Sequence, residues 1–418
     1  IDSQGLQNYE FVGELALNGD LRGVPGMLPF ALKAHQAKRA LILPKENAFE
    51  ASIINPLPLF PASRLSQVCA HLNGHLPLAP YIPDSSQFLE TSSLDLSDVK
   101  GQARAKRALE IAAAGGHSLL MIGPPGTGKT MLASRLPTIL PPLHDEESLE
   151  VAAIQSLANK IINPITLRKR PFRSPHHTAS AAALVGGGRN PKPGEISLAH
   201  QGVLFLDELP EFDRRVLEVL REPLESGEVT ISRALCQAQF PAAFQLIAAM
   251  NPCPCGYATS LHNNCQCTQE QIQRYRQKIS GPLLDRIDMH IEVPSLPPET
   301  LLKPEKGSPE TSQEVRKRVT QARDKQMTRT GKINAKLTGK ELLSVCQINS
   351  KTSLILEQAM EKLLLSARAY HRILRLARTI ADLGDAQTVQ TNHVTEAMTY
   401  RGLDRKTLKP FSAASCIQ

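Results

Sequence analysis

One octapeptide limits what this chain can fold into more than any other feature. Gly123-Pro124-Pro125-Gly126-Thr127-Gly128-Lys129-Thr130 satisfies the phosphate-loop pattern G-x-x-x-x-G-K-[ST] in full. An apolar run, Ser118–Ile122, reads as the strand before it, and Met131–Leu136 as the helix after it. Glycines let the backbone curl so that several N–H groups point at phosphate oxygens, helped by the positive end of the following helix. Lys129 is expected to reach the β- and γ-phosphates of ATP, and Thr130 to bind Mg²⁺. Helix, strand, glycine loop and helix from Val99 onward announce a nucleotide-binding α/β domain.

The partner motif begins its carboxylates 77 residues after Thr130. Val203-Leu204-Phe205-Leu206-Asp207-Glu208 is a buried apolar strand ending in two acids, delivered to the sheet edge where ligands bind. Asp207 is placed to orient the magnesium through water, and Glu208 to polarise the attacking water. Asn251 ends a further strand, Phe244–Met250, where its amide can help position that water. Arg286, in Gly281-Pro282-Leu283-Leu284-Asp285-Arg286-Ile287-Asp288, is a candidate arginine finger for a neighbouring subunit. The alternative for Arg286 is a structural salt bridge to Asp285 or Asp288.

Composition narrows the setting. At 418 residues the chain has room for two to three domains, and 41% apolar with 21% charged residues is ordinary for a globular protein. No apolar run has the length of a membrane span, and nothing at the start resembles a signal peptide, so no membrane partner is expected. The first residue is Ile1, which points to a fragment of a longer chain. With no Trp, 11 Phe and 6 Tyr, the composition argues against an extensive base-stacking platform. The net charge of +8 is uneven: −2 over residues 1–93, +1 over 94–296 and +9 over 297–418. A polyanionic partner or a solvated face would each account for the last segment.

Four of eight cysteines crowd into fifteen residues, as Cys253-Pro254-Cys255 and Cys265-Gln266-Cys267. Two tight turns bearing four thiolates can close a structural Zn²⁺ site; free thiols or labile disulfides are the alternatives. Without a secretory signal, cysteine usage points to the cytoplasm. Three basic features remain. The loop Arg168–Lys192 carries Arg170, Arg173, Gly186-Gly187-Gly188, Arg189 and Lys192. Such a loop suits sequence-independent phosphate contact, or is surface loop only. Its adjacent His176 and His177 are expected to point apart and to lack further metal ligands. A hairpin over Val229–Leu246 puts Arg233 near its tip, and Arg316–Lys340 holds nine Lys/Arg and one Asp, a DNA contact or a solvated helix face. Arg368, Arg372 and Arg375 recur at i, i+4 and i+7, so they fall on one helix face.

Residues 94–400 resemble the magnesium-chelatase-like branch of the AAA+ ATPases. Gly194-Glu195-Ile196-Ser197-Leu198-Ala199-His200-Gln201-Gly202 ahead of Val203–Leu209 carries the likeness, as does Ser366-Ala367-Arg368-Ala369-Tyr370-His371-Arg372, which is similar to its sensor 2 region. By that resemblance Arg368 is the sensor 2 residue, with Arg372 as second choice, and the Arg168–Lys192 loop faces a central pore. Gly13–Arg22, Gly26 and Leu41–Asn47 resemble the last part of a Lon-protease-type domain. Where that family has its catalytic lysine this chain has Leu28, and the nucleophile-bearing half would lie upstream of Ile1. The expected architecture is an α/β AAA+ P-loop core with a helical C-terminal lid, preceded by a partial, noncatalytic α+β Lon-like domain. Its divisions are 1–80, a linker at 81–97, a core at 98–296 with a cysteine-rich insertion at 253–267, and a basic linker and lid at 297–418. Members combining these parts imply a homo-hexameric DNA translocase acting on single-stranded and branched DNA, promoting branch migration as incoming DNA is integrated in natural transformation. The alternative is a metal-chelatase-type motor subunit that remodels a protein partner; a Lon-like protease is disfavoured by Leu28.

Overall fold

The computed structural model describes residues 6–83, 94–158, 167–188, 191–232, 237–259, 265–297, 309–363 and 366–402. The chain forms two compact units, neither continuous in sequence. One comprises Ile1–Thr91, Pro142–Lys169 and Gly187–Pro193; the other comprises Ser92–Pro141, Arg170–Gly186 and Gly194–Gln418.

In the first unit three short parallel strands, β1 (Tyr9–Phe11), β2 (Ala40–Pro44) and β3 (Leu59–Ala62), lie in that order. The helix α1 (Met27–Gln36) starts from Gly26 at φ 75° and buries Met27, Leu28, Ala31 and Ala34. Leu28, at the place of the Lon-type lysine, is therefore core packing. β1 stops short of Gly13, where an added Cβ would meet Pro44 at 3.0 Å. Glu14–Leu15 pairs instead with Leu21–Arg22 in a hairpin. The core is completed by the distant helix Asp145–Leu157, through Ala152 and the flanking Leu149 and Ala153. Asp145, Glu146 and Glu147 in its first turn suit the positive helix end.

The second unit is built on five parallel strands in the order β8–β4–β7–β6–β5. These are β4 (Leu119–Ile122), β5 (Phe172–Arg173), β6 (Val203–Leu206), β7 (Gln245–Met250) and β8 (Met289–Glu292). β4, β6 and β7 are buried on both faces, which explains their unbroken apolar runs. Leu119, Met121, Val203, Phe205, Ile247 and Ala249 meet α2 (Ala103–Gly115), α3 (Lys129–Ile139) and the lid on one side. Leu120, Leu204, Leu206, Leu246 and Ala248 pack on Ile196, Leu209 and Leu217 on the other. The chain leaves this unit after Pro141 and returns at Arg170, whose guanidinium donates to Pro141 O (2.7 Å) and Gln201 O (2.8 Å).

The hairpin is shorter than expected: Glu228–Ser232 pairs with Gln237–Pro241, and the chain then turns into β7. Gln245 belongs to the core sheet, paired with Val203, and its side-chain amide donates to Ala112 O and His117 O. Arg233, like Arg189, lies outside the described residues. The lid contains α4 (Ser312–Thr330), α5 (Ser350–Leu363), α6 (Ala367–Leu383) and α7 (Thr391–Thr399). Thr311 and Glu314 cap α4 reciprocally, and Ser366 caps α6, which makes α6 a helix separate from α5.

Six of the nine cations in the basic stretch Arg316–Lys340 are engaged with the core or the lid, while Lys317, Lys336 and Lys340 are exposed. Arg316 donates to Thr138 O and Arg323 to Ala113 O. Arg318 pairs with Glu110 and Glu310, Lys325 with Asp385, Arg329 with Asp382 and Lys332 with Glu341. These cations hold the lid to the core and to itself.

Candidate nucleotide and metal sites

The loop between β4 and α3 gathers the expected residues into a cleft of about 420 Å³ lined by Pro125–Thr130, Asp207, Glu208, Met250 and Asn251. Gly126 (φ 77°) and Gly128 (φ 84°) adopt the left-handed conformation, and a Cβ on either would meet nothing within 4 Å. That open concavity of backbone, at the N-terminus of α3, is the cradle a triphosphate needs. Lys129 is 9% exposed, and its ammonium donates to Gly123 O (2.8 Å), Pro124 O (2.9 Å) and Asn251 Oδ1 (3.3 Å). Burial lowers its pKa, while Asp207 and Glu208 pull the other way. Thr130 Oγ1 donates to Asp207 Oδ2 at 2.6 Å, so the two magnesium-side oxygens already sit together. The residues fit Mg²⁺-ATP.

Glu208 sits at φ 51° and ψ 46°, just past the end of β6. Its Oε2 lies 3.1 Å from His177 Nδ1. The two histidines do not point apart: the rings of His176 and His177 are 4.1 Å apart, and Phe212 flanks His177. Sequence reasoning missed His177 as a neighbour of Glu208, because only the return of the chain to β6 brings it there.

Arg286 is 11% exposed and has a partner that its sequence neighbours do not supply. It pairs with Glu225 Oε1 at 2.6 Å and donates to Pro282 O at 2.7 Å. Asp288 is taken by Arg372 at 2.8 Å. Arg368, Arg372 and Arg375 all lie on α6 at the expected spacing, but they do not share a task. Arg375 donates to Leu337 O, Arg372 is turned to Asp288, and only Arg368 of the three is exposed. Arg173 forms a two-pronged pair with Glu195 (2.6 and 2.7 Å), which ties the end of β5 to the segment ahead of β6. Lys192 is exposed.

Cys253, Cys255, Cys265 and Cys267 bring their four sulfurs within 4.8 Å of one another. Sγ separations of 3.3, 3.6 and 3.5 Å among the first three approach the ~3.7 Å edge of a tetrahedron with Zn–S near 2.3 Å. The Tyr257 backbone helps draw the Cys255 thiol down to about 6. The cluster touches the phosphate loop: Gly256, at φ 87°, lies where a Cβ would meet Pro125 Cδ at 2.7 Å.

A five-stranded parallel sheet with this strand order, this phosphate loop and this acid pair defines a P-loop ATPase with a helical lid. Residues 95–301 match the family described as magnesium chelatase, subunit ChlI, residues 309–401 its C-terminal region, and residues 1–47 the family described as subunit ChlI of Mg-chelatase. The chain is 53% identical over 410 residues to the competence protein ComM of Haemophilus influenzae, covering 97% of this chain and 80% of that protein. It is 50% identical over 406 residues to YifB of Salmonella typhimurium, covering 97% and 79%. The magnesium-chelatase 38 kDa subunit of Cereibacter sphaeroides is 25% identical over 173 residues, 37% of this chain and 52% of that one. The chain belongs to the ComM/YifB family of magnesium-chelatase-like AAA+ ATPases, and it is an ATP-hydrolysing enzyme. Among the described residues, no helix is long and apolar enough to cross a membrane.

Proposed function

We propose that this chain is the subunit of a cytoplasmic homo-hexameric DNA motor that promotes branch migration while incoming DNA is integrated in natural transformation. The observation that carries this reading is a complete nucleotide constellation on a chain 53% identical to a competence protein over nearly its whole length. Bound Mg²⁺-ATP supplies the electrophilic phosphorus and neutralises its charge. Lys129 leaves its own loop's carbonyls for phosphate oxygens, Thr130 and Asp207 hold the metal side, and Glu208 polarises the water that Asn251 helps place. Arg286 exchanges Glu225 for the nucleotide of a neighbouring subunit, and Arg368 serves as sensor 2. Lys192, with Arg189 and Arg233, contacts strand phosphates without reading bases. The four cysteines hold a structural Zn²⁺ that fixes Gly256 against the phosphate loop.

The test is the ATPase rate of assembled rings with and without single-stranded and branched DNA. Hydrolysis should rise on DNA. If about six phosphates are neutralised, log affinity should fall with log salt at a slope near −4 on single strands and −5 on duplex. DNA that neither binds between about 50 and 200 mM salt nor stimulates hydrolysis overturns the reading in favour of a motor that remodels a protein partner.

A further inference from the structure

The segment that presents Arg286 is held from behind by the lid. Asp288, two residues on, has a largely buried carboxylate. Its Oδ1 accepts from Arg372 Nη1 of α6 at 2.8 Å, and its Oδ2 accepts from the Ser118 backbone N–H at 3.1 Å. Ser118 Oγ takes the Asp288 N–H at 2.8 Å and donates to Arg286 O at 3.0 Å. From the end of the lid, Arg401 Nη1 donates to Ile287 O at 2.7 Å. His117 Nδ1 lies 3.6 Å from the same carboxylate, and its Nε2 faces Thr379 of α6 at 2.8 Å. Burial works against ionising Asp288, but His117, Arg372 and the Ser118 N–H outweigh it and hold the carboxyl well below its usual range. The backbone from Arg286 to Asp288 is thus gripped by two lid arginines and the foot of β4, with its carboxylate charged. Arg286 can leave Glu225, whose side chain is 60% exposed. Arg372 leaving Asp288, 13% exposed, would strand a buried carboxylate, so Arg372 is poorly placed to seek a phosphate.

We propose that Arg372 is a positioning residue for Arg286: through Asp288 it couples the lid of one subunit to the arginine that the same subunit offers to its neighbour's nucleotide. The proposal rests on the reading of Arg286 as acting in trans. It makes Arg372 part of the donor side of the subunit boundary, whereas a sensor 2 residue belongs to the receiving side, in its own subunit's nucleotide site. Movement of α6 as the subunit's own nucleotide changes is then felt at the next site around the ring.

Mixed rings separate the two roles. An Arg286→Ala subunit keeps its own site but offers no finger; a Lys129→Ala subunit offers a finger but has no site. Their mixture should recover ATPase several-fold over either variant alone. Arg372→Ala should behave as Arg286→Ala does, with unchanged affinity for a fluorescent ATP analogue, recovery when mixed with Lys129→Ala, and none when mixed with Arg286→Ala. A sensor 2 role gives the reverse: weakened nucleotide binding, recovery with Arg286→Ala and none with Lys129→Ala. That reverse pattern, or no recovery with either partner in rings shown to co-assemble, overturns the proposal while leaving Arg286 intact. No recovery between Arg286→Ala and Lys129→Ala overturns the Arg286 reading, and this proposal with it. Because Arg372→Ala leaves Asp288 buried beside an emptied partner, Arg372→Lys is measured in parallel. It keeps a cation for the carboxylate and must show the same asymmetry in weaker form.

Discussion

Lys129 and Glu208 divide binding from chemistry, and their surroundings show why. Lys129 is buried, with three oxygen acceptors around its ammonium, so Lys129→Ala should weaken nucleotide binding itself. Glu208 lines the cleft from the strand end, with its carboxylate beside His177. Glu208→Gln should therefore keep ATP bound while hydrolysis falls by about 10²–10⁴, the ordinary contribution of a general base. Equilibrium binding of a labelled nucleotide beside steady-state ATPase checks both. Near-normal turnover by Glu208→Gln removes it from the mechanism.

At the scale of elements, two clips should be separable by experiment. Zinc should copurify at about one ion per chain by elemental analysis. Gly256→Val, which drives a branched side chain into Pro125 and strains the φ 87° turn beside Cys255, should weaken both nucleotide binding and zinc retention. Zinc removal alone should leave Lys129 in place. A zinc-free preparation that folds and hydrolyses ATP normally would dispose of the metal. In the lid, Asp382 accepts from the buried Arg378 and from Arg329 and Asn334. Asp382→Ala leaves guanidinium groups unpaired and should destabilise the protein by about 3–5 kcal/mol, read as a lowered unfolding midpoint. What could be read in advance follows the same division. The phosphate loop, the acid pair, Asn251 and the paired cysteine turns were legible because each is a local motif on one strand end or turn. Glu225 against Arg286, His177 beside Glu208 and Glu195 on Arg173 were not. Each joins residues from different loops, and no periodicity reports which cation a carboxylate meets. Nor does a count of lysines and arginines over 297–418 distinguish the lid staples Arg316, Arg318, Arg323 and Arg329 from the exposed Lys317, Lys336 and Lys340.

For the whole molecule, a linear division at residue 80 or 93 cuts through a core. The helix Asp145–Leu157 completes the first unit, with Ser156 Oγ bonded to Glu50 and Ala152 buried there. A chain begun at residue 94 should lose that partner and expose the helix's apolar side. Its soluble yield should fall and its binding of a hydrophobic dye should rise relative to the full chain. Removing 142–169 as well should reverse both changes.

The stitch at Arg170 makes that second deletion feasible. The outgoing and returning strands of chain meet where one guanidinium holds Pro141 O and Gln201 O together. A detour whose entrance and exit coincide adds little closure entropy to the body that hosts it. The motor therefore has a built-in socket: a short turn, or an equivalent segment from a relative, can be spliced between 141 and 170 without redrawing the sheet. Exchanged together with 1–91 and 187–193, that segment offers a route to chimaeras in which the ATPase stays constant while its companion unit is replaced.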